Sequence, residues 1–207
     1  MSGHLIDRPN RYLARVALPG QVVEVHVPNP GRMHELMLPG RPVQITPAAG
    51  PQRKTAFDLQ AVWHEQTWVC IDNRLGGRLA RLVLEQHLLA ELEPYHQVLA
   101  EVRCGASRLD FLLHGSPHCW VEAKSCTLLI NGCGRFPDAP TVRGRRHLDE
   151  LIARRQLGDR AAVLFVVQRP DALRLGPHDL TDPEFGVALR AAAAAGVALL
   201  AVTAAWT

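Results

Sequence analysis

Ser107-Arg108-Leu109-Asp110-Phe111-Leu112-Leu113-His114 and Cys119-Trp120-Val121-Glu122-Ala123-Lys124-Ser125 read as two strands separated by the short link Gly115-Ser116-Pro117-His118. A link that short joins them as an antiparallel hairpin. Side chains alternate along a strand, so Glu122 and Lys124 share one face while Val121 and Ala123 take the other. Asp110 then falls opposite or diagonal to Glu122. Two carboxylates with a backbone carbonyl suit a hard cation, Mg²⁺ or Mn²⁺. Lys124 beside such an ion is placed to orient an attacking water and help deprotonate it, while the cation stabilises charge on a phosphate. The competing reading of the same residues is a solvated charge pair on a polar strand face. Lysine usage bears on the choice. Only Lys54 and Lys124 among 23 basic residues are lysine, and a lysine kept among arginines marks a place where a compact ammonium serves and a guanidinium does not.

Around this hairpin, residues 76–207 carry the pattern of an α/β unit. Leu79, Leu82, Val83, Leu89 and Leu92 form a helical stripe that Pro94 ends. Strands are expected over Gln97–Cys104, Arg108–His114 and Cys119–Ser125, then a helix over Arg145–Leu157 that Gly158 stops. Ala161–Val167 is continuously apolar, as in a strand covered on both faces. Asp182-Pro183 supplies an N-cap and first-turn proline for a helix running to Gly196, and Val197–Val202 is a last buried strand. The order α-β-β-β-α-β-α-β predicts a sandwich of helices on a mixed sheet.

Residues 1–75 differ in kind. Tyr12–Leu18 alternates, Pro19-Gly20 turns, and Val23, Val25 and Val27 alternate again. Further short strands are expected at Pro42–Thr46, Phe57–Trp63 and Trp68–Ile71. Four or five short strands in so few residues indicate a small barrel of the OB type. The chain is therefore read as an α+β protein of two domains, 1–75 and 76–207.

Composition narrows the function classes. Of 207 residues, 47% are hydrophobic and 21% charged, which excludes intrinsic disorder. No apolar run is long enough for a membrane span and Met1–Asn10 has no secretory core, so a cytoplasmic protein is expected. Five cysteines without a CxxC pair predict reduced thiols rather than zinc or disulfides. A net charge of +3 does not by itself announce a nucleic-acid binder; the placement of the basic residues says more. Arg143, Arg145 and Arg146, with His147, crowd the start of a helix, where phosphates bind readily. In the N-terminal domain Arg8, Arg11, Arg15, Arg32, Arg53 and Lys54 are candidates to line a barrel face. Tyr12, Trp63 and Trp68 either stack bases or fill the barrel core.

The hairpin carrying Asp110 and Glu122-Ala123-Lys124 resembles the nuclease core of the PD-(D/E)XK superfamily. The wider chain is similar to the sugar fermentation stimulation protein A family, through Asn10-Arg11-Tyr12-Leu13-Ala14, Pro28-Asn29-Pro30-Gly31-Arg32-Met33, Phe136-Pro137-Asp138-Ala139 with Arg143-Gly144, and Asp182-Pro183-Glu184-Phe185. That resemblance implies an N-terminal OB-like domain, a C-terminal nuclease-like domain, DNA as partner and a regulatory tie to sugar (maltose) use. The family's acid, ExK glutamate and lysine fall on Asp110, Glu122 and Lys124. Two departures stand out. A glutamate that relatives carry just after the Arg-Leu matching Arg78-Leu79 is absent, with Ala80 there and Glu85 one turn on as the candidate third metal ligand. Val142 stands where relatives show Thr-Glu-Arg-Gly. Three functions follow: a DNA-binding protein that cuts phosphodiesters with Mg²⁺ or Mn²⁺, a binding-only protein on a decayed nuclease core, or a metal-dependent hydrolase of a small phosphorylated substrate.

Overall fold

The computed structural model describes residues 1–207 except Pro51, Glu93 and Thr207. The N-terminal strands are β1 (Ser2–Asn10), β2 (Leu13–Leu18), β3 (Gln21–His26), β4 (Pro42–Pro47), β5 (Phe57–His64) and β6 (Thr67–Cys70). They pair in the order β3-β2-β1-β4-β5-β6, and a parallel contact between His26 and Asp58 joins β3 to β5, closing a five-stranded barrel. The expected hairpin is β2–β3, with Leu18 opposite Gln21 and Gly20 in the left-handed region at the turn. Ala14, Val16 and Val25 point inward with Val43, Ile45 and Leu59.

Strand β1 was not expected from the sequence. Only Gly3 and Leu5 of its residues turn fully inward, and two register irregularities after Leu5 erase the alternation. Gly3 is required there because a Cβ would sit 2.6 Å from the Ala17 carbonyl oxygen on β2.

The C-terminal part comprises α1 (Asn73–Glu85), β7 (Gln97–Cys104), β8 (Ser107–His114), β9 (Cys119–Cys126), β10 (Leu129–Ile130), β11 (Cys133–Phe136), α2 (Val142–Gln156), β12 (Arg160–Val167), β13 (Arg174–Pro177), α3 (Pro183–Ala194) and β14 (Ala198–Thr203). Its main sheet runs β14-β12-β9-β8-β7, with β12 parallel to β14 and β9, and β8 antiparallel to both neighbours. The sheet is mixed, as expected. Strand β12 is central: Ala162, Leu164 and Val166 pack towards α1, while Ala161, Val163 and Phe165 pack towards α2 and α3. Burial on both faces is why this strand shows no alternation.

Three local expectations are corrected. Helix α1 stops at Glu85, well before Pro94, because His87 takes a positive φ; Leu92 reaches the core from a short 3₁₀ turn, Ala90–Leu92, and Leu89 packs against that core from the residue just before it. Helix α2 begins at Val142, not Arg145, because Thr141 caps it by accepting from the Gly144 amide at 3.0 Å. The small sheet β10-β11-β13 was unforeseen, its strands being too short for a period to register.

The two domains are tied together. Cys70 and Gln168 exchange two hydrogen bonds, 3.1 and 3.3 Å, between β6 and the segment after β12. The fully buried Arg169 donates to Asp171 and to the Thr127 carbonyl. The five cysteines are free and buried. No helix among the described residues is long and apolar enough to cross a membrane.

Candidate active site

The β8–β9 ladder stops early. Its last pairs are Leu112 with Trp120 and Phe111 with Val121, although β8 runs back to Ser107 and β9 on to Cys126. One step beyond the last pair, the same register sets Asp110 opposite Glu122. There the strands part, and the Ala123 amide, which no β8 carbonyl takes up, donates to Asp110 Oδ2 at 2.8 Å. A side chain thus satisfies the backbone where the sheet opens.

Glu122 and Lys124 lie on the α2 side of β9, as alternation demands. Glu122 is almost wholly buried, and its Oε1 accepts from Lys124 Nζ at 2.5 Å and from His147 Nδ1. Its Oε2 is buried with no hydrogen-bond partner, as is Ser125 Oγ on the opposite face. The two carboxylates titrate apart. Burial, reinforced by the Glu122 charge, pushes the Asp110 carboxyl up to about 6. Burial also works against the charge of Glu122, but the His147 hydrogen bond and Lys124 together hold it below the usual range.

His147, read from the sequence with the arginines that crowd a helix start, is instead turned to Glu122. It sits on α2 within the buried stripe Gly144, His147, Leu148 and Leu151. A titratable residue inside an otherwise apolar i, i+3, i+4, i+7 stripe is a signal the sequence did carry. Arg143, one turn earlier, donates from Nε to His147 Nε2 at 3.3 Å.

Ala123, Lys124 and Ser125 open into a cleft of about 390 Å³ between the two domains, lined also by Arg11, Asn29, Asn73 and Arg135. The barrel side of the cleft is rigid. Asn29 Nδ2 donates to the Ile71 carbonyl at 3.0 Å and its Oδ1 accepts from the Gly31 amide at 2.8 Å. The Asn73 amide donates to the Pro28 carbonyl, and Arg8 donates to the carbonyls of Arg11, Asn29 and Arg32. Gly31 approaches the other domain so closely that a Cβ would overlap Asp138 Oδ2. Arg11, Pro30, Gly31 and Ala139 also line a second cleft of about 610 Å³ with Arg8, Arg32 and His34. Asn10 joins that one to a third, of about 490 Å³, lined by Tyr12, His26, Arg53 and Lys54. All three meet at the β1–β2 turn.

The predicted residues separate accordingly. Asp110, Glu122 and Lys124 come together, and Arg11, Arg32, Arg53 and Lys54 line the clefts. Arg53 is also engaged by Asp58. Arg15 is paired with Asp7 on the barrel surface. Arg145 is held by Asp182 and Glu184, whereas Arg146 is exposed and has no side-chain partner among the described residues. Glu85 is not brought to the site. It pairs with Arg81 on the exposed side of α1 at 2.7 Å, and α1 meets β9 at Gly76, roughly 13 Å earlier along the helix. Tyr12 is half exposed beside His26, while Trp63 and Trp68 pack edge to face with each other at 5.3 Å. Arg135, Asn29 and Asn73 were missed, since nothing in their local sequence distinguishes a cleft wall from a turn.

Among the described residues no three His, Cys, Asp or Glu side chains gather into a metal cage. The donor set still fits a hard cation of the Mg²⁺ type, which is held by one or two carboxylates and keeps several waters. The orphaned, buried Glu122 Oε2 beside Asp110 is the observation that meets this requirement.

Comparison with known proteins agrees with both halves. The family model described as "SfsA N-terminal OB domain" matches residues 6–71, and "Sugar fermentation stimulation protein RE domain" matches residues 74–207. A sugar fermentation stimulation protein homolog of Moorella thermoacetica is 45% identical over 95% of this chain and 86% of its own. One of Geotalea daltonii is 44% identical over 95% and 87%. The structure of Pyrococcus furiosus SfsA in complex with Ca²⁺ superposes with a TM-score of 0.88 at 34% identity, covering 98% of this chain and 87% of that one. With an OB barrel, a mixed sheet and matches along nearly its full length, the chain belongs to the sugar fermentation stimulation protein (SfsA) family.

Proposed function

We propose that this protein grips DNA through its phosphates and hydrolyses phosphodiesters at Asp110, Glu122 and Lys124 with Mg²⁺ or Mn²⁺. The observation that carries this reading is the early end of the β8–β9 ladder, which leaves Asp110 and the buried Glu122 beside Lys124, and Lys124 in turn lines a cleft walled by both domains. The Pyrococcus furiosus relative was solved with Ca²⁺, a hard cation that oxygen ligands hold.

Asp110 and Glu122 would hold the cation, which when bound supplies Lewis-acid stabilisation of charge developing on the phosphate. Lys124 Nζ, fixed against Glu122, orients the attacking water. Arg11 and Arg135, on either wall, hold the phosphates flanking the scissile one. The connected clefts give the strand a path past Arg32 and towards Tyr12, Arg53 and Lys54, where a ring and cations suit stacking and phosphate contact. Contacts of this kind are tolerant of sequence and weaken with salt. A regulatory tie to sugar use would run through this DNA contact. The continuity of the clefts disfavours a small phosphorylated substrate, which calls for a closed pocket.

A binding-only role is the second reading, and a specific observation favours it: Ala80 is fully buried at the position where the family resemblance implies a glutamate, and Glu85 is too distant to replace it. Incubating wild type and Glu122→Gln with plasmid and oligonucleotide DNA in Mn²⁺ separates the two. Cleavage lowered by about 10²–10³-fold in the variant, with DNA binding kept, supports the nuclease. DNA binding without cleavage by wild type leaves the binding protein.

A further inference from the structure

Glu122 is not a symmetric carboxylate in this fold. Both hydrogen-bond donors, Lys124 Nζ and His147 Nδ1, converge on Oε1, and Oε2 is buried without a partner. A buried carboxylate oxygen left unsatisfied carries a desolvation cost that folding alone does not explain. The donor from α2 is itself constrained. Arg143 has only N–H groups to offer, so its Nε can approach His147 Nε2 only where that nitrogen is an acceptor. The ring proton is thereby placed on Nδ1, the nitrogen facing Glu122.

We propose that Arg143 and His147 form a positioning relay: Arg143 selects the Nδ1–H tautomer of His147, and His147 pins Glu122 Oε1 so that Oε2 is presented as the cation ligand. The inference rests on the cation-dependent reading of the site and adds to it how one carboxylate is divided between a structural and a binding oxygen. His147 does not touch the cation or the substrate; it acts through Glu122, as the outer partners of metal ligands do. Arg143, exposed and at the N-terminal turn of α2, acquires a role other than phosphate contact.

Two measurements on the full chain test it. ¹⁵N-histidine NMR of the metal-free protein, with the His147 signal assigned by its loss in His147→Asn, is expected to show a protonated Nδ1 and an unprotonated Nε2, and Arg143→Met is expected to shift the ring towards the other tautomer. Calorimetric titration of Mn²⁺ is expected to show about 10–100-fold weaker binding in His147→Ala. His147→Asn should recover most of that loss, because its amide N–H stands near where Nδ1–H was; a residue that only fills space would not be rescued this way. Thermal unfolding of each variant confirms that a folded protein is being titrated. An Nε2–H tautomer or an imidazolium at neutral pH in wild type overturns the relay, as does His147→Ala binding Mn²⁺ as tightly as wild type. Should wild type show no Mn²⁺ binding that Asp110→Asn abolishes, the cation-dependent reading falls, and with it the assignment of Oε2, whatever the tautomer.

Discussion

Asp58 on β5 and Asp110 on β8 are both strand carboxylates withdrawn from water, and the protein treats them in opposite ways. Asp58 is saturated: Arg53 donates to Oδ1, Arg74 Nη2 donates to Oδ2 at 2.7 Å, and Arg74 is in turn fixed by Asp72, the N-cap of α1. Burial opposes its charge, but Arg74 and Arg53 prevail and hold it below the usual carboxylate range. Asp110 has one backbone amide and faces another carboxylate, so its carboxyl is pushed up to about 6. A completed network joins barrel to helix and is structural. An incomplete one, with a neighbouring orphan oxygen, stores an unfavourable interaction that a ligand would relieve.

The sharpest way to break this comparison is through pH. In metal-free protein the folded value of Asp110, about 6, lies above its ordinary 3.8, so the folded state binds that proton more tightly than the unfolded. Stability should therefore fall as pH rises from about 4 to 6, by on the order of 2–3 kcal/mol. Urea unfolding of wild type and Asp110→Asn across this window, with a chelator present, checks it. The variant should lack the decline and be the more stable of the two at pH 7; parallel curves would refute an under-satisfied site.

Asp58 should show the reverse sign. A carboxyl held below its ordinary value contributes stability that is present above about pH 4 and lost as pH falls through the folded value. Asp58→Asn should cost about 2 kcal/mol at pH 7, less than a fully buried pair because both arginines are partly solvated. That difference should vanish in strong acid. A variant as stable as wild type at neutral pH would show that the Arg53–Asp58–Arg74 network does not hold the domains' junction.

The smallest effect separates two exposed arginines. Arg11 lines the cleft at Lys124, whereas Arg15 is neutralised by Asp7. In anisotropy titrations of labelled DNA at several salt concentrations, Arg11→Ala should reduce the slope of log K against log salt by about 1, and Arg15→Ala should leave it unchanged. Equal slopes in the two variants would remove the cleft from the DNA path.

Much of this was legible beforehand because it is local. The β2–β3 hairpin follows from alternation around Pro19-Gly20, and the central position of β12 from an apolar run without alternation. The placing of Asp110 across from Glu122 follows from a short link and a period of two. What escaped was set by partners distant in sequence. Strand β1 has no period because its register shifts against β2. Leu89 and Leu92 keep a helical spacing that the positive φ of His87 interrupts. Glu85 looked like a compensating ligand because one helical turn seemed a small step, but the packing of Gly76 on Ser125 anchors α1 so that Glu85 lies far from the site.

By itself the sequence determined which residue types share a strand face, that a small barrel is followed by an α/β unit, and that an acid, a glutamate and a lysine would stand together. These rest on the backbone's own periodicities and on short links, which need no distant contact. Only the tertiary structure decided that the β8–β9 ladder ends at Phe111–Val121, that His147 reaches Glu122 from α2, and that the Pro28–Arg32 loop closes one wall of the cleft. Each depends on how separately folded pieces dock. Docking is governed by side-chain volume and hydrogen-bond satisfaction summed over the whole molecule, which no local pattern encodes.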